Sequence, residues 1–406
     1  MWLKEVSAMS GGLEMFISHA KPRIESRAKD LQEISLKIWE KPELGYEEHF
    51  AHGILSDYFT EQGFDVTKHY TLPTAFRAEF GDKDSGPTVG VLCEYDALPG
   101  VGHGCGHNLI AIAGVAVALG LKSAIEAGLK GRVVAMGTPA EEGGGGKIQM
   151  INHGCFKDVD FCVMLHPAPF NVAFYVSQAL EKVEVVYKGH AAHAAAFPWE
   201  GCNALDAAVM AYSSISMLRQ QMKPTWRVHG VITDGGVKPN IIPEQSKLDF
   251  WVRTVKNKEC AVLKSKVHAC FEAAAKATSC TVDVQWDSTP HAGVLSNTKL
   301  ALLYQKYAET MGMVFPSQAE QESIVDGSTD FGNVSMIVPG LHPLYCIKKS
   351  VPYHSHAFRE VSGTQSAHDQ TILAAKALCF AAIEVLSDSS LLMQVKEEFS
   401  KTVQDA

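Results

Sequence analysis

The segment EYDALPGVGHGCGHNLIA, residues 94–111, contains two histidines, one cysteine and two carboxylates among four glycines. It overlaps the end of the β-rich run TVGVLCEY (88–95) and leads into the apolar run LIAIAGVAVALGL (109–121). A buried strand, a glycine-rich loop and an apolar helix in this order are typical of a sheet that helices cover. The segment therefore predicts that potential metal ligands follow a strand of an α/β domain.

Similar patterns lie on both sides of this segment. β-rich runs occupy residues 74–80, 132–138 and 159–165, and helical patterns occupy residues 27–40, 108–127 and 146–153. Pro42 is expected to end the first of these helices. Continuous apolar strands separated by helices are typical of a sheet that is buried on both faces and has many parallel neighbours. We therefore predict a mixed sheet with helices on both faces.

From about residue 180 the pattern changes to that of a second domain. Strands are predicted at 181–189, 225–233, 246–255 and 280–286, and helices at 203–221 and 257–278. Their order is βαββαβ, the split unit of ferredoxin-like domains. The chain is therefore expected to form a catalytic domain from residues 1–179 and 293–406, which a lid domain at 180–292 interrupts. Further helices at 297–312 and 364–386 would belong to the catalytic domain.

The composition indicates a folded protein that acts on small molecules. The chain has 406 residues, which favours two domains, and its 46% hydrophobic and 20% charged residues are ordinary for globular proteins. A net charge of −9 without a Lys/Arg block argues against a nucleic acid or an anionic membrane as partner. The expected partner is a small-molecule substrate.

The cysteines and the apolar runs favour a cytoplasmic protein. The ten cysteines include no CxxC pair, and the start lacks the unbroken apolar stretch of a secretory signal. The longest apolar run, at 109–121, is shorter than the roughly 20 residues that span a bilayer. We expect reduced thiols and no association with a membrane.

Three sets of polar side chains directly follow predicted strands. They are Glu94 and Asp96, then Glu141 and Glu142, and then His166. In open α/β sheets the ligand crevice lies at the carboxyl ends of the strands. We therefore expect these distant side chains to converge there.

Cys105 and His107 add a thiolate and an imidazole in the glycine-rich loop. Cysteine, histidine and carboxylate are the usual ligands of zinc, so we favour a metal site over a buried thiol with a capping histidine. His103 is expected to lie beside the ligands. Of the adjacent Glu141 and Glu142, one can hold metal while the other acts as general base on a water molecule. Two exposed glutamates on a flexible loop are the alternative interpretation.

Other common catalytic signatures do not occur in the sequence. It has no GxSxG, HExxH or GxxxxGK[ST] motif, and GVGHGCGH does not match GxGxxG. The usual serine-hydrolase, zincin and nucleotide-binding signatures are therefore excluded.

Five blocks of the sequence together resemble one enzyme family. They are KPELGYEE (41–48), CEYDALPGVGHGCGHN (93–108), GTPAEEGGGGK (137–147), GGVKPNIIP (235–243) and DGSTDFGNVS (326–335). They are similar to the co-catalytic metallopeptidases that include aminoacylase, carboxypeptidase G and the aminobenzoyl-glutamate and auxin-conjugate amidohydrolases. FPWEGCNALDAAVMAY and RQQMKPTWRVHG more closely resemble the Xaa-Arg dipeptidase branch, also called β-alanyl-lysine dipeptidase. The resemblance implies a two-metal α/β domain with an inserted ferredoxin-like lid.

The resemblance assigns roles to residues that match the motifs. The residues that resemble metal ligands are Cys105, His107, Glu142, His166 and His354. Glu141 resembles the general base, and Asp96 resembles the carboxylate that orients a ligand imidazole. We prefer His354 to His356 as the last ligand, because family members place serine or threonine after this histidine.

Three residues of the predicted lid match substrate-contacting positions of the family. His193 matches the residue that reaches the scissile carbonyl, often from the partner subunit. Asn240 and Arg253 match contacts to the substrate carbonyl and carboxylate. The alternatives are a solvated loop histidine for His193 and an ordinary strand-end charge for Arg253.

The sequence departs from many relatives at two positions. Glu94 stands where they have histidine, so Glu94 is not assigned to the metal. Asn108 follows CGH, where many amidohydrolases have aspartate and then a second histidine nearby. We therefore expect either one or two ions per subunit.

The expected reaction is metal-dependent hydrolysis of the amide bond of dipeptides. The branch resemblance implies a basic C-terminal residue, as in β-alanyl-lysine, β-alanyl-ornithine or Xaa-Arg. Cysteine among the ligands favours zinc, with manganese or cobalt as alternatives, and a homodimer through the lid is expected. Alternative functions are an N-acyl-amino-acid or aminobenzoyl-glutamate amidohydrolase and, from another class, a catalytically silent metal-binding scaffold.

Overall fold

The computed structural model describes residues 2–405, with side chains from residue 12 onward. The helices are α1 (Trp2–Glu40), α2 (His49–Glu61), α3 (His107–Glu126), α4 (Gly146–Asn152), α5 (Ala204–Leu218), α6 (Asn257–Thr278), α7 (Thr298–Thr310), α8 (Gln318–Ser323), α9 (Phe331–Ser335), α10 (His356–Ser362), α11 (Gln365–Ser387) and α12 (Ser389–Asp405). The strands are β1 (Asp65–Lys68), β2 (Phe76–Gly81), β3 (Thr88–Cys93), β4 (Arg132–Gly137), β5 (Phe161–Val163), β6 (His166–Ala168), β7 (Val176–Ser177), β8 (Ala179–Lys188), β9 (Arg227–Asp234), β10 (Gln245–Thr254), β11 (Thr281–Trp286), β12 (Val325–Asp326), β13 (Gly340–Leu341) and β14 (Leu344–Cys346).

These elements form two units. The first unit contains the chain up to Val176 together with Val294–Val325 and Thr329–Asp405. The second unit contains Ser177–Gly293 and Asp326–Ser328. For comparison, the sequence predicts a catalytic domain at 1–179 and 293–406 and a lid at 180–292.

The first unit is built on a six-stranded mixed sheet with the order β1-β2-β4-β3-β5-β13. β4, β3, β5 and β13 are parallel neighbours, whereas β1 and β2 are joined antiparallel at one side. β3 therefore lies between β4 and β5, and the carboxyl ends of these three strands meet at the same edge. The predicted mixed α/β fold is confirmed.

Both faces of this sheet are buried. Successive side chains of a strand point to opposite faces, so a strand that is covered on both sides contributes to two apolar clusters. In β3, Val91 enters one apolar cluster and Leu92 the other, and Val133 and Val134 of β4 divide in the same way. α1, α3 and α11 pack over the first cluster, and α4 and α9 contribute to the second. Burying one such aliphatic side chain is worth about 2 kcal/mol. The doubly buried strands therefore hold the edge that carries the polar residues.

α3 and α11 are long and apolar enough to cross a membrane by length and composition. The most apolar window of α3 is 89% buried within the protein, and that of α11 is 78% buried. Such burial is typical of helices at the centre of a folded core. The unbroken apolar run at 109–121 is shorter than α3 because the helix continues through polar residues to Glu126.

The second unit has the order β8-α5-β9-β10-α6-β11. Its strands form an antiparallel sheet with the order β11-β8-β10-β9. α5 and α6 pack on the apolar face of this sheet, where the rings of Phe250 and Phe271 lie 5.8 Å apart. The Asn203 side chain accepts hydrogen bonds from the first turn of α5 and so begins that helix. The element order is therefore the βαββαβ order that the sequence predicts.

Several boundaries and elements differ from the prediction. The helix expected at 27–40 is only the last part of the 39-residue α1, which continues through Pro22. The buried Ala20 and Ile24 extend its apolar stripe toward the N-terminus. α2 and α12 are not predicted, although α12 has apolar residues at a helical spacing, namely Leu392, Val395 and Phe399.

Gly114, in the middle of α3, tests the contact between α3 and β3. A Cβ atom there would lie 2.4 Å from Cys93 Sγ and 2.7 Å from the Leu92 carbonyl oxygen. Gly114→Ala should therefore lower the free energy of unfolding by about 1–3 kcal/mol, although alanine favours helices. Gly53 of α2 has open space around it, so Gly53→Ala should instead raise stability by up to about 1 kcal/mol. Urea denaturation measures both, and equal effects would contradict the close contact.

Candidate metal centre

The carboxyl ends of β3, β4 and β5 bring together three segments that are far apart in the sequence. Glu94 and Asp96 follow β3, Glu141 and Glu142 lie in the loop after β4, and His166 lies just beyond β5. The predicted convergence of these side chains is present, because contacts among them and with Cys105 and His107 lie within 4.0 Å.

Gly106 carries the chain from the glycine-rich loop into α3. Its φ of 81° is a left-handed conformation that suits glycine, and a Cβ atom there would lie 2.6 Å from Pro167. His107 is consequently the first residue of α3, and its Nδ1 lies 3.1 Å from Asp96 Oδ1. Although burial favours the neutral acid, His107 holds the pKa of Asp96 below its usual range. Asp96 thus lies where a carboxylate can orient the imidazole and leave Nε2 available.

Backbone hydrogen bonds hold the loop that carries the paired glutamates. Ala140 has a φ of 58°, and the N–H of Glu142 donates to Asp96 Oδ2 at 2.9 Å. A Cβ atom at Gly146 would lie 1.8 Å from the Pro139 carbonyl oxygen, so this glycine permits a close backbone contact. The side chains of Glu141 and Glu142 are only 11% and 12% exposed. The two glutamates are therefore not exposed, in contrast to the alternative interpretation.

His354 comes from a loop that precedes α10. Its φ of 55° is unusual for a residue other than glycine, and its N–H donates to the Gly104 carbonyl oxygen at 2.9 Å. His354 Nε2 lies 3.5 Å from Glu142 Oε2. His356 begins α10 and belongs to none of the donor groups found in the described part of the chain. The geometry thus favours His354 over His356.

The five predicted ligands form two groups of donor atoms that share one sulfur. The groups are Cys105, His107 and His166, and Cys105, Glu142 and His354. Within each group the donor atoms lie within 4.8 Å of one another. A third group joins His107 to both glutamates of the pair. These residues would suit one or two divalent cations, because thiolate, imidazole and carboxylate are common metal ligands.

Unpartnered atoms and pKa shifts indicate that a divalent cation fits these donors. His107 Nε2 and Glu142 Oε1 are buried and have no hydrogen-bond partner among the described residues, and such atoms call for a bound ion or water. Burial and the nearby Glu142 raise the pKa of the Cys105 thiol, so its thiolate form needs a cation beside it. Burial lowers the pKa of His166, so its ring is neutral and can bind metal.

Comparison with known families agrees with this geometry. The sequence model of one protein family, peptidase family M20/M25/M40, matches residues 86–359, which is more than half of the chain. The chain belongs to the M20 peptidase family.

Relatives of this M20 peptidase extend over nearly its full length. The Xaa-Arg dipeptidase of Mus musculus is 47% identical and that of Homo sapiens 44% identical, each over 97% of this chain and 94% of the relative. A solved structure of a dinuclear metal-binding M20 peptidase from Bacillus subtilis covers 89% of this chain and 99% of its own, with a TM-score of 0.71 and 19% identity. The predicted family and fold are confirmed.

The three substrate-contacting candidates of this M20 peptidase lie in the second unit. His193 is exposed, and its Nδ1 accepts hydrogen bonds from the N–H groups of Ala195 and Ala196 at 3.2 Å. The N–H of Ala194 donates to the Asn240 carbonyl oxygen at 3.1 Å, so the segments of His193 and Asn240 lie side by side.

Arg253 is a residue of β10 and is partly buried. Its guanidinium donates to Ser328 Oγ at 3.0 Å and to His229 Nε2 at 3.3 Å. These contacts engage Arg253 within its own unit, and its role toward a substrate stays a prediction.

Two buried residues near the candidate centre have structural contacts that the sequence did not indicate. Glu48 accepts hydrogen bonds from the Ala140 N–H at 2.8 Å and the Thr74 hydroxyl at 2.7 Å, and burial raises its pKa to about 7. Glu48 supports the turn before the paired glutamates. The only sequence feature that points to this residue is its position in the block KPELGYEE. His103 lies outside the donor groups, with Nε2 3.1 Å from the Ile38 carbonyl oxygen.

The sequence also gave no role to a buried lysine beside Glu94. Lys147 Nζ lies 2.6 Å from Glu94 Oε1 and 2.5 Å from Asp330 Oδ1, and all three side chains are buried. Lys147 and Asp330 stand in two blocks that carry the family resemblance, but no spacing rule connects them. Glu94 is thus paired with an internal cation.

Proposed function

We propose that this M20 peptidase hydrolyses the amide bond of dipeptides with a basic C-terminal residue by means of two divalent cations. The observation that carries the proposal is the pair of donor groups that share Cys105 beside the buried Glu141. The full-length similarity to two Xaa-Arg dipeptidases supports the substrate class.

The donor set suggests which ions the centre holds. Cys105, His107 and His166 would hold one ion, and Cys105, Glu142 and His354 the other. When bound, such cations act as Lewis acids toward water and the amide carbonyl. A thiolate with imidazole and carboxylate favours zinc, and manganese or cobalt are the alternatives.

Glu141 is the proposed proton carrier. Burial and the nearby carboxylates of Glu94 and Glu142 raise its pKa, so it holds a proton readily. Glu141 Oε2 lies 4.0 Å from His107 Nε2, within the third donor group. From this position Glu141 can accept a proton from the attacking water and deliver it to the leaving amine.

Three residues of the second unit are proposed to contact the substrate. The ring of His193 is fixed at Nδ1 by two backbone N–H groups, which leaves Nε2 for the scissile carbonyl. Asn240 and Arg253 would contact the substrate carbonyl and carboxylate. Amide and guanidinium groups suit these partners because both donate hydrogen bonds.

A homodimer through the second unit is part of the proposal. β9 is an edge strand of the sheet, and its Val231 is 57% exposed. Met217 of α5 is also exposed, at 74%. An edge strand with exposed apolar side chains favours pairing with another chain. Light scattering should give twice the subunit mass of 44.1 kDa. A mass that stays at one subunit at high concentration would contradict the dimer.

Dipeptide hydrolysis gives the direct test of the substrate class. We expect kcat/KM for β-alanyl-lysine to exceed that for β-alanyl-glutamate at least about tenfold, because a pocket for a cationic side chain rejects an anion. Amine release can be followed by chromatography in the presence of Zn²⁺. N-acetyl-lysine and aminobenzoyl-glutamate serve as comparison substrates. Faster cleavage of either would support the amidohydrolase alternative, and no cleavage of any would support the silent scaffold.

Replacing the proposed proton carrier tests the mechanism. Glu141→Gln should lower kcat by about 10²- to 10⁴-fold, since the amide cannot take up the proton. Metal content measured by mass spectrometry should stay near that of the wild type, because Glu141 is not among the five proposed ligands. Glu126→Gln, at the exposed end of α3, is the matched control and should retain activity. Near-normal turnover in Glu141→Gln would refute the assignment.

A further inference from the structure

Lys147 is a charged side chain that the proposed reaction does not use. It is the second residue of α4 and directly follows the glycines of EEGGGGK. Its side chain is 0% exposed, and its ammonium contacts Glu94 Oε1 at 2.6 Å and Asp330 Oδ1 at 2.5 Å. The backbone N–H of Lys147 also donates to Asp330 Oδ2 at 2.9 Å. Two buried carboxylates therefore share one buried cation.

The ammonium of Lys147 remains charged at this position. Burial opposes the charged form, but Asp330, Glu94 and Glu141 outweigh burial and raise the pKa of Lys147. A buried carboxylate is unstable in a low-dielectric interior unless a cation neutralises it. Without the ammonium, the buried Glu94 side chain would need another cation as its partner.

Glu94 has its second carboxylate oxygen on the side of the metal centre. Glu94 Oε2 lies 3.6 Å from His107 Nε2, which is a proposed metal-binding atom. Among the described residues this oxygen has no hydrogen-bond partner, yet Glu94 belongs to none of the three donor groups. Glu94 is therefore close enough to compete for an ion while it remains outside the ligand set.

We propose that Lys147 is a positioning residue that neutralises Glu94 and keeps this carboxylate from binding the ion at His107. The proposal rests on the metal centre of the proposed function and adds a residue that preserves its coordination. Lys147 acts through Glu94 and touches neither the substrate nor the reacting atoms.

A purely structural role for Lys147 is the competing explanation. Asp330 directly precedes α9, so its contact with Lys147 joins α4 to α9. The two roles depend on different carboxylates. Positioning of the centre depends on Glu94, whereas a structural link depends on Asp330. Double variants that remove one carboxylate each can therefore separate the two roles.

Co²⁺ is the probe, because its absorption spectrum reports the ligands and the geometry around the ion. Lys147→Met should change the spectrum of the Co²⁺-loaded protein and lower kcat for β-alanyl-lysine at least tenfold, since Glu94 becomes a ligand. Adding Glu94→Gln to this variant should restore the wild-type spectrum, whereas adding Asp330→Asn should not. Lys122→Met is the matched control, since Lys122 is another largely buried lysine, paired with Glu126 on α3.

Two results would overturn the role of Lys147 while leaving the metal centre in place. One is an unchanged spectrum in Lys147→Met, and the other is recovery with Asp330→Asn but not with Glu94→Gln. If circular dichroism shows that Lys147→Met is unfolded, the spectrum of the Co²⁺-loaded Glu94→Gln single variant tests the proposal instead. A carboxylate outside the ligand set can be replaced without changing the spectrum, so a changed spectrum would overturn the proposal. A wild-type chain that binds no Co²⁺ would instead refute the metal centre itself.

Discussion

The candidate centre depends on the two contacts that the Asp96 carboxylate makes. Its Oδ1 lies against His107 Nδ1, and its Oδ2 accepts the hydrogen bond of the Glu142 N–H. One buried side chain at the end of β3 thus fixes the start of α3 and the loop after β4. A buried carboxylate is stable only when its oxygens have such partners. The donor atoms are therefore held by the sheet and the core helix, which gives the precision that a metal site needs.

Local patterns in the sequence predicted most of the framework around Asp96. β3 and α3 lie close to their expected ranges, because unbroken apolar runs and the glycine-rich loop mark where they begin and end. The N-terminal part of α1 was not predicted, since its apolar stripe is interrupted by Pro22, which usually ends a helix. α12 was not predicted either, although Leu392, Val395 and Phe399 stand at the spacing of an amphipathic helix.

The candidate centre shows the same division between local and tertiary information. Cys105, His107 and the paired glutamates occur in compact motifs next to predicted strands, so their ligand chemistry indicated a metal site and the family resemblance then assigned their roles. The contact of Lys147 with Asp330 joins residues 183 positions apart, and no local spacing encodes such a pair. Only the folded chain reveals that the carboxylate of Glu94 already has a cation.

The order of the donor residues along the chain has a consequence for biosynthesis. Cys105, His107 and His166 precede the second unit, whereas His354 follows it. Domains generally fold as units, in order of emergence from the ribosome. The first unit also contains the chain from Thr329 to Asp405, including α11, which packs against α3. It is therefore incomplete while the second unit emerges. Both donor groups are thus held in place only when translation is almost finished, because prematurely terminated chains lack α11, the helix that packs against α3.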